Sequence, residues 1–433
     1  MVDVHFWMLI PFIIMLLVIA LAPLLLPRFW ESNRNKAFVT LAVAVPAAIV
    51  LVATGLGETL LEQLLFDYVP FIILLTALFV VTGGILIRGD LIATPGVNLR
   101  VLTIGFVLSS FIGTTGSAML LIRPLLDINS QRTYKVHTVL FFIALVANCG
   151  GVLTPLGDPP LFLLYLRGAG FTWFLRLLPQ WLFTGFLLLS LYYFTDKYFY
   201  RKEPLSAKKK DIREYRPMRI KGTVNLLYIL LIVASVVFLN EGYIPRMGEP
   251  DCPAALRFLR EYALVAIMIL SLLTTKKKYR SQNKFSWGPI TEVAILFAGI
   301  FTTMTPALIY LNHHAAALGL HRPWQFFYTT GALSSFLDNA PTAVAFHTVA
   351  GGLPIAQGTA LVAGIPEPIL KAIALAAVFF GSMTYIGNGP NFMVKSIAEE
   401  NGVKMPGFFA YILKFSLTVL LPVYVLVQLI FLR

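Results

Sequence analysis

Long hydrophobic runs recur along the whole chain and are separated by short polar segments. A helix of about 20 apolar residues is long enough to cross the hydrocarbon core of a bilayer. The pattern therefore predicts an all-α, polytopic membrane protein. The clearest predicted spans are Phe6–Pro27, Ala37–Gly55, Tyr68–Ile87, Trp173–Phe194, Thr223–Asn240, Ile290–Leu311 and Phe408–Leu432.

The amino-acid composition also indicates a membrane protein. Hydrophobic residues make up 58% of the chain and charged residues only 13%, whereas soluble domains carry about 25% charged residues. The net charge of +13 does not indicate a nucleic-acid partner, because the basic residues stand in short segments beside the spans. That distribution sets the orientation of a membrane protein. The lipid bilayer is the expected partner.

Charge also predicts how the chain sits in the membrane. Basic residues crowd the segments 201–221 and 276–280, whereas Glu58, Glu62 and Asp67 form an acidic stretch. Because basic loops stay on the cytoplasmic side, residues 201–222 are expected in the cytoplasm and both termini outside. A bacterial inner membrane is the expected location.

Three motifs occur twice in the same order and at nearly the same separation, which indicates an internal repeat. The segment 73–79 resembles 295–301, Ser109–Ile112 resembles Ser334–Leu337, and Thr154–Pro160 resembles Thr384–Pro390. Any one match would be unremarkable in an apolar chain, but three in order are not.

The repeat divides the chain into five parts. Charge places the start of span 68–87 outside and the start of span 290–311 inside, so the two repeats are expected to be inverted, as in many secondary transporters. The predicted parts are an N-terminal helix and loop (1–36), a first repeat (37–200), a basic linker (201–222), a connecting helix with an external loop (223–262), and a second repeat (263–433).

Each repeat contains two elements whose helices are broken. The apolar segments 101–126 and 331–349 have polar centres that must be buried in protein or line a cavity. Each is either a re-entrant hairpin or a kinked full span. The segments 148–160 and 381–391 contain several glycines and prolines, which interrupt a helix and leave carbonyl groups and helix N-termini free to bind ions.

Polar side chains at these breaks are the candidate site. Carboxylates inside a membrane are functional by default, so Asp158 and Asp338 are expected to couple protons. Sodium is hypothesised at Asp338, Asn339, Asp158 and Asn388, and no other cofactor is expected. The full set of predicted ion- or substrate-binding residues is Ser109, Ser110, Thr114, Thr115, Ser117, Asn148, Thr154, Asp158, Ser334, Ser335, Asp338, Asn339, Thr342, Thr384, Asn388 and Asn391.

Enzyme motifs give little support for catalysis. The chain has no His-Glu-x-x-His zinc helix and no phosphate-binding Walker loop. Its two cysteines, Cys149 and Cys252, lie far apart, so neither a disulfide framework nor a thiolate metal site is indicated. A transporter is therefore predicted rather than an enzyme.

At these motifs the chain resembles the ion transporter superfamily, which includes NhaD-type sodium/proton antiporters, arsenite efflux permeases and citrate and dicarboxylate transporters. The resemblance rests on Ser109–Ser117, Thr154–Pro160, Ser334–Pro341 and Thr384–Asn391, and covers roughly 37–200 and 263–433. It implies a homodimer, a scaffold domain, and a transport domain with two hairpins and two unwound helices that moves by an elevator mechanism.

The hairpin tips differ from those of the dicarboxylate branch, where a Ser-Asn-Thr pattern is typical. Here the tips contain Gly113-Thr114-Thr115 and Asp338-Asn339-Ala340. An anionic Asp338 beside a carboxylate substrate is unfavourable unless a cation or proton intervenes. Sodium or lithium/proton antiport is therefore the leading hypothesis. Cation-coupled organic-acid transport and arsenite or antimonite efflux are the alternatives.

Overall fold

The computed structural model describes residues 4–249, 251–354 and 358–432, and most of them are helical. Arg433, at the end of the chain that was predicted to lie outside the cell, is not among the described residues. The helices of the first half are α1 (Ile10–Leu25), α2 (Pro27–Trp30), α3 (Asn33–Ala53), α4 (Gly57–Gln63), α5 (Val69–Gly83), α6 (Pro95–Ile112), α7 (Thr114–Ile128), α8 (Val136–Leu145), α9 (Pro159–Leu166) and α10 (Leu178–Lys202).

The rest of the chain continues the helical pattern. The further helices are α11 (Leu205–Arg213), α12 (Val224–Phe238), α13 (Ala254–Arg257), α14 (Leu259–Thr274), α15 (Lys277–Gln282), α16 (Gly288–His313), α17 (Pro323–Ser334), α18 (Asn339–Gly351), α19 (Glu367–Phe380), α20 (Gly389–Glu400), α21 (Phe408–Tyr411) and α22 (Leu421–Phe431). Turns of 3-10 or π type extend or join them at Phe6–Leu9, Leu64–Tyr68, Cys149–Leu153, Phe171–Leu177, Pro245–Gly248, Ala315–Leu318, Gly381–Met383 and Ile412–Leu420.

Eight helical stretches in the described part of the chain are long and apolar enough to cross a membrane, which confirms a polytopic membrane protein. They are Phe6–Pro23, Asn33–Ala53, Gly57–Gly83, Pro95–Ile112, Val136–Leu153, Phe171–Lys202, Gly288–His313 and Phe408–Phe431. The predicted span 68–87 overlaps a helical stretch that begins earlier, at Gly57, and ends at Gly83, so the last two residues of the prediction belong to a strand instead. The predicted span 223–240 forms a shorter helix, Val224–Phe238.

The two halves contain the same order of elements. In each, a long helix (α5 or α16) is followed by a hairpin of two packed helices (α6–α7 or α17–α18) and then by a helix with a non-helical break (α8–α9 or α19–α20). The aromatic pairs Phe79–Phe285, Phe71–Phe297 and Tyr68–Phe301 have ring centroids 5.3, 4.8 and 5.7 Å apart. Because residue numbers rise along α5 as they fall along α16, these two helices run in opposite directions.

Packing crosses between the halves. Helix α3 packs against α16 and α14 packs against α5, while α18 packs against α9 and α20 against α7. Helices α7 and α19 are almost completely buried. By contrast, α3 and α10 expose large apolar side chains such as Phe38 (71% exposed) and Phe186 (70% exposed). The outer helices therefore offer the apolar surface that lipid would cover.

The basic linker is more ordered than its composition suggested. It forms α11 and a strand β2 (Arg216–Lys221), which pairs antiparallel with β1 (Leu86–Asp90) just after α5. A second small hairpin joins β3 (Leu361–Val362) to β4 (Ile365–Pro366). The described residues are otherwise helical or irregular, consistent with the predicted all-α class, and these two short strand pairs are local additions to it. At the first, the backbone between α5 and α6 gains a hydrogen-bonding partner from the linker.

Candidate functional site

Both polar-centred segments fold as hairpins rather than kinked spans, because the two helices of each pack against one another. The first turns at Gly113, whose φ of +80° is a conformation that glycine adopts without strain. The second turns over Ser335–Asp338, and Asp338 caps α18 by accepting a hydrogen bond from the Ala340 N–H at 3.1 Å. Gly113 and Asp338 hold the equivalent N-cap positions of α7 and α18.

Serine and threonine hydroxyls tie the first hairpin to the first broken helix. Ser109 Oγ donates to the Val146 carbonyl at 2.7 Å and Ser110 Oγ donates to the Gly150 carbonyl at 2.5 Å. In return, Thr154 Oγ1 donates to the Ser110 carbonyl. The loop 149–158 is therefore fastened to the hairpin tip by buried hydroxyl groups.

The second half repeats these ties. Ser334 Oγ donates to the Ala377 carbonyl at 2.7 Å, and Thr384 Oγ1 donates to the Ser335 carbonyl at 2.5 Å. Ser335 Oγ instead donates within its own helix, to the Gly331 carbonyl at 2.8 Å. These six hydroxyls were predicted as ligands, and each donates its hydrogen bond to a backbone carbonyl.

Close backbone packing explains the glycines of the broken helices. A side chain at Gly157 would overlap the carbonyl oxygen of Gly151, and a Cβ at Gly387 would lie 2.7 Å from the carbonyl oxygen of Gly381. The Thr114 N–H also donates to the Gly157 carbonyl at 2.7 Å. Each loop thus folds onto itself, and the first loop also holds the start of α7.

Asp158 lies at the point where all four broken elements meet. Its Oδ1 accepts from Thr114 Oγ1 of the first hairpin at 2.5 Å and from Asn388 Nδ2 of the second broken helix at 3.2 Å. Its Oδ2 accepts from Asn339 Nδ2 of the second hairpin at 2.5 Å. The residue is 2% exposed. Every one of these donors is electrically neutral.

A chain of amides continues from Asp158 across the centre. Asn388 Nδ2 also lies 3.1 Å from Asn148 Oδ1, and Asn148 Nδ2 donates to Asn391 Oδ1 at 2.7 Å. Asn391 Nδ2 then donates to the carbonyls of Gly381 and Thr384, at 2.7 and 2.9 Å. The predicted residues Asn148, Asn388 and Asn391 therefore form one connected network with the carboxylate.

Other predicted residues lie at the edge of this network. Thr342 donates to the Asp338 carbonyl at 2.9 Å, and Thr115 is half-buried at the tip of the first hairpin. Ser117 Oγ and Asn339 Oδ1 are buried and have no hydrogen-bond partner among the described residues. Unpaired buried oxygens of this kind are what a bound water or ion would satisfy.

A small cavity of about 60 Å³ opens beside the first hairpin tip. It lies between the tip and the long helices α5 and α16, and its wall includes Thr115, Gly113, Leu78 and Ile290. Because a water needs about 10–15 Å³ of such space, the cavity has room for a few waters, and its wall is mostly apolar. No cluster of three or more His, Cys, Asp or Glu residues suited to a metal occurs in the described ranges.

A second buried polar cluster was not predicted. At the base of the first hairpin, the Asp196 carboxylate lies 2.7 Å from Arg132 Nη2 and 2.8 Å from His137 Nε2. Asn98 Nδ2 donates to the same carboxylate at 3.3 Å, and Arg132 Nε lies 3.5 Å from Glu203 Oε1. The sequence signal that could have revealed this cluster is the presence of charged residues inside the apolar segment 171–202.

The sequence of this chain is similar to those of membrane transport proteins. A family model described as "Putative citrate transport" matches residues 1–432. A 231-residue stretch, 49% of the chain, is 26% identical to the "Low-affinity phosphate transporter PHO90" of Saccharomyces cerevisiae. The matched stretch spans about a quarter (24%) of that relative's length. Together with the apolar helices, these similarities favour a membrane transporter over an enzyme.

Proposed function

Because the chain belongs to the family described as "Putative citrate transport", we propose that it is a cation-coupled secondary transporter, with sodium or lithium/proton antiport as its leading activity. The observation that carries this proposal is the Asp158 carboxylate, which is held by Thr114, Asn339 and Asn388 and has no cationic partner among the residues that the structure describes. We propose alternating access in a bacterial inner membrane, with residues 201–222 in the cytoplasm and both termini outside.

The physical argument concerns charge. A buried carboxylate without a paired cation is costly to ionise, so it is stable only when it holds a proton or a bound cation. Neutral donors can orient the group in both states. A site that must be occupied by one or the other, but not both, exchanges the two as it alternates between the sides of the membrane.

The arrangement of the halves supports an inverted repeat. Helices α5 and α16 run antiparallel, and the packing of α9 with α18 is matched by that of α7 with α20. In transporters built from inverted repeats, the substrate lies where the repeats meet, and Asp158 occupies that place here. An elevator motion of the hairpins within a homodimer is part of the proposal.

Organic-anion transport is the second candidate, favoured by the description of the family and by the phosphate transporter relative. The starts of α7, α9, α18 and α20 all lie at this centre, and helix N-termini favour negative charge. On this alternative, a cation at Asp158 would offset the carboxylate and allow an anion to bind beside it.

One experiment distinguishes cation/proton antiport from organic-anion transport. Proteoliposomes containing the full chain and a pH-sensitive dye are exposed to sodium, lithium or potassium, and in parallel to radioactive citrate with and without sodium. Antiport predicts proton movement on addition of sodium or lithium alone, absent in empty vesicles and unchanged in Glu241→Gln, an exposed carboxylate variant. Citrate uptake without cation-induced proton movement would reject antiport and favour the anion transporter.

A further inference from the structure

The linker between the two halves, residues 201–222, joins two apolar helices. Helix α10 belongs to the candidate span Phe171–Lys202, and α11 begins three residues later, at Leu205. Three residues of extended chain cover about 10 Å, so α11 starts close to the end of α10 and on the same side of the membrane. The linker returns to a second apolar helix, α12, at Val224.

Helix α11 has an inner face that is fixed to the protein. Asp211 is 4% exposed, and its Oδ2 accepts a hydrogen bond from the Ala93 N–H at 2.9 Å, just before the first hairpin. Lys208 lies on the same side, with its Nζ 4.7 Å from the centre of the Tyr200 ring. These contacts fix the rotation of α11 about its axis.

The adjoining face, which points outward, carries apolar and basic side chains. Leu205, Lys209 and Ile212 follow one another at helical spacing, and Leu205 and Ile212 are 74% and 59% exposed. Past the helix, Ile220 of β2 is also 54% exposed, between Arg219 and Lys221. A surface helix with exposed apolar side chains bordered by lysines and arginines is suited to the interface of a membrane with anionic lipid.

Charge specifies the kind of lipid. Residues 201–221 contain nine lysines and arginines and three acidic residues. Two of the acids, Glu203 and Asp211, are buried and engaged inside the protein: Glu203 accepts from the Thr133 and Tyr134 N–H groups at 3.0 and 2.8 Å. The outward surface is therefore almost purely basic, which complements acidic headgroups.

We propose that the outer face of α11 and β2 is a binding surface for anionic phospholipid, with Leu205 and Ile212 inserted among the acyl chains and Lys209 and Arg213 on the headgroup phosphates. The strand pair β1–β2 and the Asp211–Ala93 bond connect this surface to the segment that enters the first hairpin. This inference does not depend on which ion or anion the protein transports.

A spin label tests the proposal in the full chain. The label is attached to Ile212→Cys in a Cys252→Ser background, and the protein is reconstituted in phosphatidylcholine vesicles with or without phosphatidylglycerol. Collisions with oxygen report lipid exposure, and collisions with a water-soluble nickel chelate report water exposure. We expect phosphatidylglycerol to raise the ratio of oxygen to nickel collisions, and added salt to reverse the rise.

Charge variants show whether the linker itself is responsible. Lys209→Gln with Arg213→Gln should abolish the effect of phosphatidylglycerol. Lys277→Gln with Lys278→Gln in α15, which removes the same charge from other exposed lysines, should leave it intact. Equal nickel collisions in both lipids, an equal loss in the two double variants, or protection by soluble RNA or acidic polypeptide instead of phosphatidylglycerol would each overturn the proposal.

Discussion

Two buried carboxylates in the same half of the molecule are held in opposite ways. Asp158 receives its hydrogen bonds from one hydroxyl and two amides. Asp196, about 0% exposed, lies against the Arg132 guanidinium and the His137 ring and also accepts from Asn98. One carboxylate has neutral partners only, and the other has an arginine of its own.

The difference distinguishes a candidate transport site at Asp158 from a structural ion pair at Asp196. The charge of Asp196 is compensated inside the protein, and its partners join the base of the first hairpin to α8 and α10, so its expected role is structural. On the proposed mechanism, the charge of Asp158 is compensated by a proton or a metal cation that arrives from outside the protein. The following predictions test this contrast, from the largest expected effect to the smallest.

Asp158→Asn should reduce cation-driven proton movement to the level of empty vesicles. The amide has the same shape and can rearrange its hydrogen bonds with Thr114 and Asn388, but it cannot bind and release a proton or balance a cation. Folding should be preserved, which size-exclusion chromatography and the melting temperature in detergent would check. Substantial exchange by folded Asp158→Asn protein would reject the mechanism.

Asp196→Asn should affect stability rather than transport. Removing one partner of a buried ion pair costs about 3–5 kcal/mol, and here the Arg132 guanidinium would lose the carboxylate that lies 2.7 Å from its Nη2. The melting temperature should fall clearly, while exchange per folded molecule is retained. A stable Asp196→Asn protein without activity would contradict the structural role of Asp196 and indicate a role in transport.

Thr114→Val should weaken cation affinity while leaving maximal exchange nearly intact. It removes one hydrogen bond to the Asp158 carboxylate, and bonds to charged groups contribute about 1.5–3 kcal/mol. The concentration of sodium that gives half-maximal exchange should therefore rise roughly tenfold or more. Thr103→Val is the matched control, since that hydroxyl donates only to the Leu99 carbonyl of its own helix, and it should behave as the unaltered protein.

Cys149→Ala should have the smallest effect. The thiol is buried beside the first broken loop, and its Sγ lies 3.3 Å from the Tyr424 hydroxyl. Because a buried cysteine behaves as a small apolar side chain, exchange should stay within about twofold of the unaltered protein. A complete loss of transport would instead indicate that the Cys149 thiol takes part in transport.

The sequence predicted the parts of the site but not how they are connected. Repeated polar breaks at Gly113 and Asp338 located both hairpin turns, because such centres must be buried or line a cavity. The same reasoning gave Asp158 and Asp338 equal weight. Only the fold shows that Asp158 bonds to three other elements, while the side chain of Asp338 caps its own helix.

Other features depended on contacts between distant segments. Five of the ten predicted serine and threonine ligands tie the hairpins to the broken helices, a role that residue type alone does not distinguish from ion binding: Ser109, Ser110, Thr154, Ser334 and Thr384. The Arg132–Asp196 pair joins residues far apart in sequence, and the pairing of β1 with β2 brings a loop to the basic linker. Periodicity within one segment carries no information about such partners.

The central claim is that a proton and a metal cation compete for the Asp158 carboxylate. The most direct test is the binding of radioactive sodium to purified protein over a range of pH, for the unaltered chain and for Asp158→Asn. We predict that sodium binds the unaltered protein more weakly as the pH falls, and that Asp158→Asn does not bind it at any pH. Sodium binding that is independent of pH, or that survives in Asp158→Asn, would contradict the account.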